Sequence, residues 1–265
     1  MPWKPTSIPT VYPLAGLNIK ASGRTQPLEM ECETADGNKS YIVKLWNNVE
    51  LKTHSLAREV YGSLLADYFE IPTPPIALVE IDPEFASSQR NVTIRDFIAS
   101  SPGLNFGSLY IDGAIQFVPP VSPTLISQAA RIFCFDMLIG NIDRRNEKAN
   151  MFSSRNGLMV YDHEQAFPLS QPQTFLGRPP EPWDFIKEPW ARNHILYPSL
   201  KGRELLLDID EFVNDTGRLK DNILDKIEES IPSEWSKNLS NISLHLAKTR
   251  DNAKLFKRSL QELLA

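Results

Sequence analysis

The sequence predicts a bilobal α+β protein, with a β-rich first half and a mainly helical second half, on three observations. Short alternating strand patterns cluster early, at residues 28–33, 40–46, 76–81 and 105–112. After a proline-rich connection at residues 119–123, apolar residues recur mostly at steps of three and four. Between an apolar helical run, 125–138, and a short strand pair, 150–153 and 157–161, lies the polar loop Gly-Asn-Ile-Asp-Arg-Arg-Asn-Glu-Lys-Ala-Asn. A chain of 265 residues can bury a substantial core as one large domain or as two lobes sharing a cleft. The expected division is residues 1–118 for a first lobe and 119–265 for a second.

Composition bounds the function class before any motif is read. Hydrophobic residues make up 42% and charged residues 23%, which argues for an ordinary globule and against disorder. A net charge of −5 disfavours a surface built for nucleic-acid phosphates, so no nucleic-acid partner is expected. Cysteine occurs only at Cys32 and Cys134, in different segments, which excludes a disulfide framework and suits a reducing cytoplasm. No apolar run reaches the length of a spanning helix, and the first 17 residues lack the apolar core of a signal peptide.

Taken in order, residues 1–14 hold four prolines and are expected to form an irregular arm, with ordered structure beginning near Leu17. Residues 21–27 form a loop, and two antiparallel strands at 28–33 and 40–46 turn at Asp36-Gly37. A helix over 49–69 follows from the spacing of Leu56, Val60, Leu64, Leu65 and Tyr68, and Pro72, Pro74 and Pro75 stop it. Residues 76–81 read as a strand, 83–100 as partly helical, and 105–112 as another strand. Beyond the central loop and its strand pair comes a proline-rich excursion over 168–189. Two short helices at 204–214 and 219–229 follow, and one closing helix runs from Ser236 with Leu239, Ile242, Leu246, Ala253, Phe256, Leu260 and Leu263 on one face.

Three oxygen-bearing side chains frame the central loop: Asp143 within it, Asn150 at the mouth of the first strand, and Asp162 just past the second. A loop carboxylate flanked by arginines stays ionised and can accept a hydrogen bond from an incoming hydroxyl, and Arg144 or Arg145 can reach a transferring phosphoryl. A turn aspartate paired with an arginine is the plainer alternative. Magnesium needs hard oxygen ligands shared with phosphate and water, which an amide and a carboxylate on adjacent strand ends supply. Lys44 lies inside the apolar strand Tyr-Ile-Val-Lys-Leu-Trp, where a buried ammonium needs an anion, and Glu59 on the next helix is the candidate carboxylate. Gly23, Arg24, Thr25 and Gln26 offer backbone amides and a guanidinium to phosphates, although a plain turn has the same composition. The four histidines show no zinc spacing, and Ser63 lacks the second glycine of a nucleophile elbow.

The order of Gly-Arg-Thr-Gln-Pro, Tyr-Ile-Val-Lys-Leu, the Glu59 helix, Ile-Pro-Thr-Pro, Asn-Phe-Gly-Ser-Leu-Tyr, Gly-Asn-Ile-Asp-Arg-Arg, Asn-Met-Phe and Val-Tyr-Asp-His-Glu resembles the HipA-like kinase family, in its short stand-alone branch, over about residues 15–240. The resemblance implies a bilobal protein-kinase-like fold and transfer of phosphoryl from ATP, with magnesium, typically to serine or threonine. By the same resemblance Asp143 is the catalytic base, Asn150 and Asp162 bind the metal, Lys44 contacts the nucleotide phosphates, and residues 23–26 form the phosphate loop. The protein or small-molecule acceptor is not identified by the sequence. One departure stands out: ordinary protein kinases place the metal asparagine five residues after the base, where this chain has Lys148, and Asn150 is seven after. Asp162-His163-Glu164 also replaces the usual Asp-Phe-Gly.

Two other functions compete with a serine/threonine kinase. A pseudokinase acting as an interaction module is disfavoured because Lys44, Asp143, Asn150 and Asp162 are all present. A lipid kinase would need a basic surface, for which the candidate is Lys248, Arg250, Lys254, Lys257 and Arg258 on the closing helix. The solvated face of a packed helix explains those charges more simply.

Overall fold

Five strands from the first 109 residues close into a barrel in the computed structural model, which describes residues 3, 5, 7–20, 25–47, 52–154, 157–167, 181–237 and 239–265. They are β1 (Thr10–Ile19), β2 (Leu28–Thr34), β3 (Gly37–Lys44), β4 (Ile76–Ile81) and β5 (Gly103–Leu109). Around the barrel the order is β1-β2-β3-β5-β4, and a parallel pairing of Thr10 with Leu78 and Val11 with Val79 closes it. Closure removes the open edges that a five-stranded sheet would leave. Alternation fills the interior with Leu28, Met30, Cys32, Val43, Ala77 and Val79. Two short helices, α2 (Pro83–Ser88) and α3 (Val92–Ala99), cap this core with Ala86, Ile94 and Ile98. Asp82 and Asn91 start them by accepting backbone N–H groups, and Pro83 sits at the first helical position, where its missing N–H costs nothing.

Helix α1 (Thr53–Tyr68) is buried on all sides from Ser55 to Ala66, because it lies between the barrel and the helical remainder. Its Leu56, Val60, Tyr61, Leu64 and Leu65 belong to a second, larger core. That core is completed by α4 (Ile126–Ile139), whose run from Ile132 to Ile139 is buried throughout, and by later helices. These are α5 (Pro189–Asn193), α6 (Tyr197–Leu200), α7 (Leu206–Gly217), α8 (Asp221–Glu229), α9 (Leu239–Asp251) and α10 (Ala253–Leu264). A small antiparallel sheet, β6 (Ile115–Gln116), β7 (Met151–Ser154) and β8 (Gly157–Val160), lies beside α4, with Gln128 of that helix bonded to both backbone groups of Leu158. Cys32 and Cys134 are both buried, and burial pushes the Cys32 thiol up to about 12, so neither thiol is a nucleophile at neutral pH.

Three expectations from the sequence need correction. Ordered structure does not wait for Leu17: β1 begins at Thr10 and contains Pro13, tolerated because the β1–β2 register shifts between Pro13 and Ala15. The strand expected at 105–112 starts at Gly103 and ends at Leu109. The closing helix is two helices, broken at Asn252 between α9 and α10, so its apolar residues do not form one straight stripe.

Gly62 is where α1 meets the segment after β8. A Cβ at this position would stand 2.6 Å from His163 Cβ and 2.7 Å from its Cγ. Both neighbours are held, so Gly62→Ala is expected to destabilise the fold by about 1–3 kcal/mol through overpacking. Denaturant unfolding checks this, and an unchanged midpoint would show that the contact is loose.

Candidate active site

Lys44 ends β3 with its side chain buried, and three carboxylates converge on its ammonium. Glu59 of α1 makes a short contact with it, Asp162 Oδ1 accepts at 2.8 Å, and Glu164 Oε2 accepts at 2.7 Å. Burial works against the charged lysine, but Asp162, Glu59 and Glu164 together raise its pKa well above the ordinary value. Burial pushes Glu59 up to about 7, because the one ammonium that opposes it is shared with two other carboxylates. Glu59 keeps a second role, accepting the His163 backbone N–H on its other oxygen at 2.8 Å. Oxygens of Glu59, Asp162 and Glu164 lie within 4.8 Å of one another, a spacing that suits a metal, yet the Lys44 ammonium already serves all three.

The central loop is fixed from beneath by Asp136, a fully buried carboxylate in the last turn of α4. Gly140 ends that helix in the left-handed conformation, φ 62°, and the chain turns back so that Asn141 Nδ2 donates to Asp136 Oδ1 at 3.0 Å. Arg144 Nε donates to Asp136 Oδ2 at 2.6 Å, and His194 Nε2 lies 2.9 Å from the same oxygen. His194 Nδ1 accepts the Leu196 N–H, which leaves Nε2 as the protonated nitrogen that donates to Asp136. Burial alone would raise the Asp136 carboxyl; Arg144 and His194 outweigh it and hold it at about 2. The Arg144 guanidinium also reaches the carbonyls of Ala149, Asn150 and Tyr161, tying the loop to the entrance and the exit of the β7–β8 hairpin.

Asn150 and Asp162 flank that hairpin, and both adopt positive φ, 47° and 64°. Asparagine and aspartate tolerate this region best among non-glycine residues. The Tyr161 N–H donates to the Asn150 carbonyl at 3.0 Å, so Asn150 and Asp162 are one step out of direct opposition at the same end of the hairpin. Asn150 Nδ2 donates to Asp143 Oδ2 at 3.4 Å, leaving its amide oxygen for another partner. Lys148 donates to Asp143 and lies 3.1 Å from Asp162 Oδ2. Burial raises the Asp162 carboxyl, but Lys44 and Lys148, one at each oxygen, drive it below its ordinary value. Lys44 and Lys148 thus face four carboxylates, Glu59, Asp143, Asp162 and Glu164, so acidic groups outnumber the ammonium groups that serve them.

The structure therefore brings together Lys44, Glu59, Asp143, Asn150 and Asp162. Thr25, buried, and Gln26, exposed with φ 40°, sit at the end of the β1–β2 connection, separated by Pro27 from Leu28, which pairs with Val43 beside Lys44. Gly23 and Arg24 lie outside the described residues. Arg144 corrects an expectation: it is wholly buried on Asp136 and cannot reach a transferring phosphoryl. Sequence reasoning passed over Glu164, Lys148, Asp136 and His194. Glu164 was visible as the acid two after Asp162, whereas nothing in sequence ties His194 to a carboxylate 58 residues away.

Two expectations follow for this polar core. Asp136→Asn leaves the Arg144 guanidinium buried without a counter-charge and should cost about 3–5 kcal/mol, read as a lowered unfolding midpoint. His163 is fully buried, with neither ring nitrogen hydrogen-bonded, and burial lowers it from 6.5 to about 3; His194 and His245 are also lowered. Below 6.5 the unfolded chain takes up protons that the folded chain refuses, so stability is full above that value and falls as pH drops toward 3. Each such histidine contributes a slope of about 1.4 kcal/mol per pH unit. The Asp136 contribution is lost later, as pH falls from 3.8 through about 2. Glu59, raised to about 7, acts the other way, because the folded chain takes up its proton before the unfolded chain does, so it offsets one of the three histidines. Thermal unfolding from about pH 7.5 to 5.5 should still show a net loss of stability as pH falls, and a flat profile would contradict it.

The sequence model of one family, described as HipA-like kinase, matches residues 17–262. No curated protein sequence matches the chain. Among solved structures, the fold is similar to that of a Helicobacter pylori proinflammatory kinase, CtkA, with a TM-score of 0.51 over 97% of this chain and 100% of that one, at 14% identity. At that identity the likeness concerns the fold. With a family match running from β1 to α10, the chain belongs to the HipA-like kinases.

Proposed function

We propose that this kinase transfers the γ-phosphoryl of ATP, with magnesium, to a serine or threonine hydroxyl. The observation that supports this most is the meeting of Asp143, Asn150 and Asp162 with Lys44 in one acid-rich group. Asp143 is the base: its carboxylate accepts the acceptor's proton as the new oxygen–phosphorus bond forms and the bond to the β-phosphate oxygen breaks, with ADP taking the electron pair. Asn150 and Asp162 are the metal ligands, an all-oxygen set that fits magnesium, and the acid-rich surroundings fit a divalent cation. Bound magnesium would neutralise the phosphate oxygens. Lys44, oriented by Glu59 and Glu164, holds the nucleotide phosphates, with residues 23–26 as the phosphate loop. In this reading residues 1–118 form the lobe that carries Lys44 and Glu59, and 119–265 the lobe that carries Asp143, Asn150 and Asp162.

The two alternatives have less support. A pseudokinase has no need of this complete set of side chains. For a lipid kinase, the basic residues of α9 and α10 are largely committed: Lys248 pairs with Glu181, Arg250 with Asp221, Lys257 with Asp210 and Arg258 with Glu262. No helix among the described residues is long and apolar enough to cross a membrane.

Asp143→Ala and Asp162→Ala, each compared at a temperature where circular dichroism shows the variant folded, should lower ATP turnover at least about a hundredfold, or about 3 kcal/mol of barrier. Asn150→Ala should be far more damaging than Asn146→Ala, since Asn146 sits exposed at the tip of the loop's turn. Unchanged turnover in Asp162→Ala would sink the assignment. Phosphoproteomics of cells expressing wild type against Asp143→Ala tests the acceptor class, and phosphate appearing only on lipid would select the second alternative.

A further inference from the structure

Lys148 has no part in the assignment above, yet the two carboxylates of the proposed reaction meet on it. Its ammonium donates to Asp143 Oδ2 and lies 3.1 Å from Asp162 Oδ2, with the side chain 32% exposed at the mouth of the site. The loop's other cations do not compete for this place. Arg144 is buried on Asp136, and Arg145, more than half exposed, comes no nearer to Asp143 than 3.9 Å.

Geometry also says which contact can yield. Asp162 gives one oxygen to Lys44 and the other to Lys148, so a divalent ion bound to Asp162 must displace one of them. Lys44 would keep Glu59 and Glu164, both buried, whereas Lys148 would keep only Asp143. Lys148 is therefore the one to move. Its backbone does not have to follow, because residues 145–148 form a tight turn closed by two hydrogen bonds, Arg145 N–H to the Lys148 carbonyl at 3.1 Å and Lys148 N–H to the Arg145 carbonyl at 2.9 Å. That turn is also what places a lysine five residues after Asp143 and moves the asparagine to seven.

We propose that Lys148 is a further catalytic residue whose ammonium, displaced from Asp162 when metal and nucleotide bind, contacts the γ-phosphoryl while remaining on Asp143. The inference rests on the kinase reading above. An ammonium is a compact charge with three donors, enough to span Asp143 and a phosphoryl oxygen at once. During transfer the acceptor oxygen bonds to phosphorus, the bond to the β-phosphate oxygen breaks, the hydroxyl proton passes to Asp143, and ADP leaves with the electron pair. Lys148 loses no proton and stabilises the charge spread over the phosphoryl oxygens. Without nucleotide the same ammonium keeps Asp143 and Asp162 from repelling each other.

The test is calorimetric binding to the full chain of a β,γ-imido ATP analogue and of ADP, each with magnesium. Lys148→Met should weaken the analogue at least about tenfold and change ADP less than about twofold, a split that a structural role would not produce. Lys148→Arg should recover most of the loss, and the half-saturating magnesium concentration should fall in Lys148→Met, because the ammonium that competes for Asp162 is gone. Equal loss for both nucleotides, or none, overturns the role of Lys148 and leaves the kinase reading standing. A wild-type chain that binds neither nucleotide overturns both. Amine labelling of wild type, read by mass spectrometry, gives the answer independently of variant folding. Lys148 should be protected by the analogue and not by ADP, and labelling unaffected by the analogue overturns the proposal.

Discussion

One buried ammonium joins the parts of this protein that would otherwise be independent. Lys44 belongs to the barrel, Glu59 to the helix behind it, and Asp162 and Glu164 to the segment leaving the small sheet. Burying charges costs several kcal/mol per ion, and only close geometry with every oxygen and proton paired offsets it. The cluster therefore constrains its surroundings: β3 must end at Lys44, α1 must run close enough for Glu59 to reach, and Gly62 must stay bare for His163 to lie against it. Such an arrangement contributes position more than net stability, which is what a site that orients phosphates requires.

A second buried pair does the same for the loop. Asp136 and Arg144 are both fully enclosed, and the guanidinium extends from the α4 carboxylate to carbonyls just before β7 and just after β8. This link fixes Asn150 and Asp162 at either side of the hairpin, and the left-handed backbone at both residues is tolerable because the surrounding bonds over-determine it. Asp143 itself is held more loosely, by its own N–H to Asn141 and by Lys148 and Asn150 on its carboxylate. In the proposed reading, rigid ligands around a partly exposed base suit the reaction, since the base must accept a substrate and the ligands must not move.

Much of this was legible in sequence, and the exceptions have physical causes. The strands at 28–34 and 76–81 and the helix carrying Glu59 follow from periodicity, because each buries one face or all of itself. The residues at the centre of the site could be nominated because a lysine inside an apolar strand and an aspartate ending a hairpin are costly unless used. Pro13 misled, since a bulge lets a proline sit within β1, and Asn252 broke a helix whose apolar spacing continues across it. The network under the loop was invisible for a different reason. Asp136, Arg144 and His194 are each unremarkable locally, and their partnership exists only once α5 and α6 fold back beneath α4.

The Asp-His-Glu segment shows how such a network shapes control. In many kinases the corresponding segment turns over, in and out, around a glycine. Here its third residue is Glu164, whose carboxylate holds Lys44 and whose carbonyl accepts from Arg58 at 3.4 Å. His163 is wedged against Gly62, and its N–H is bound by Glu59. Turning the segment over would break the Asp162 and Glu164 pairs with Lys44 and the Glu59 bond together. Losing a partner from one buried ion pair costs about 3–5 kcal/mol, so the turned state would hold on the order of one molecule in a hundred to one in several thousand. Control of this kinase by that motion is therefore disfavoured. Among the described residues, the Lys148 turn is the more exposed part of the site, and it is the place where a partner or a modification has the least structure to oppose it.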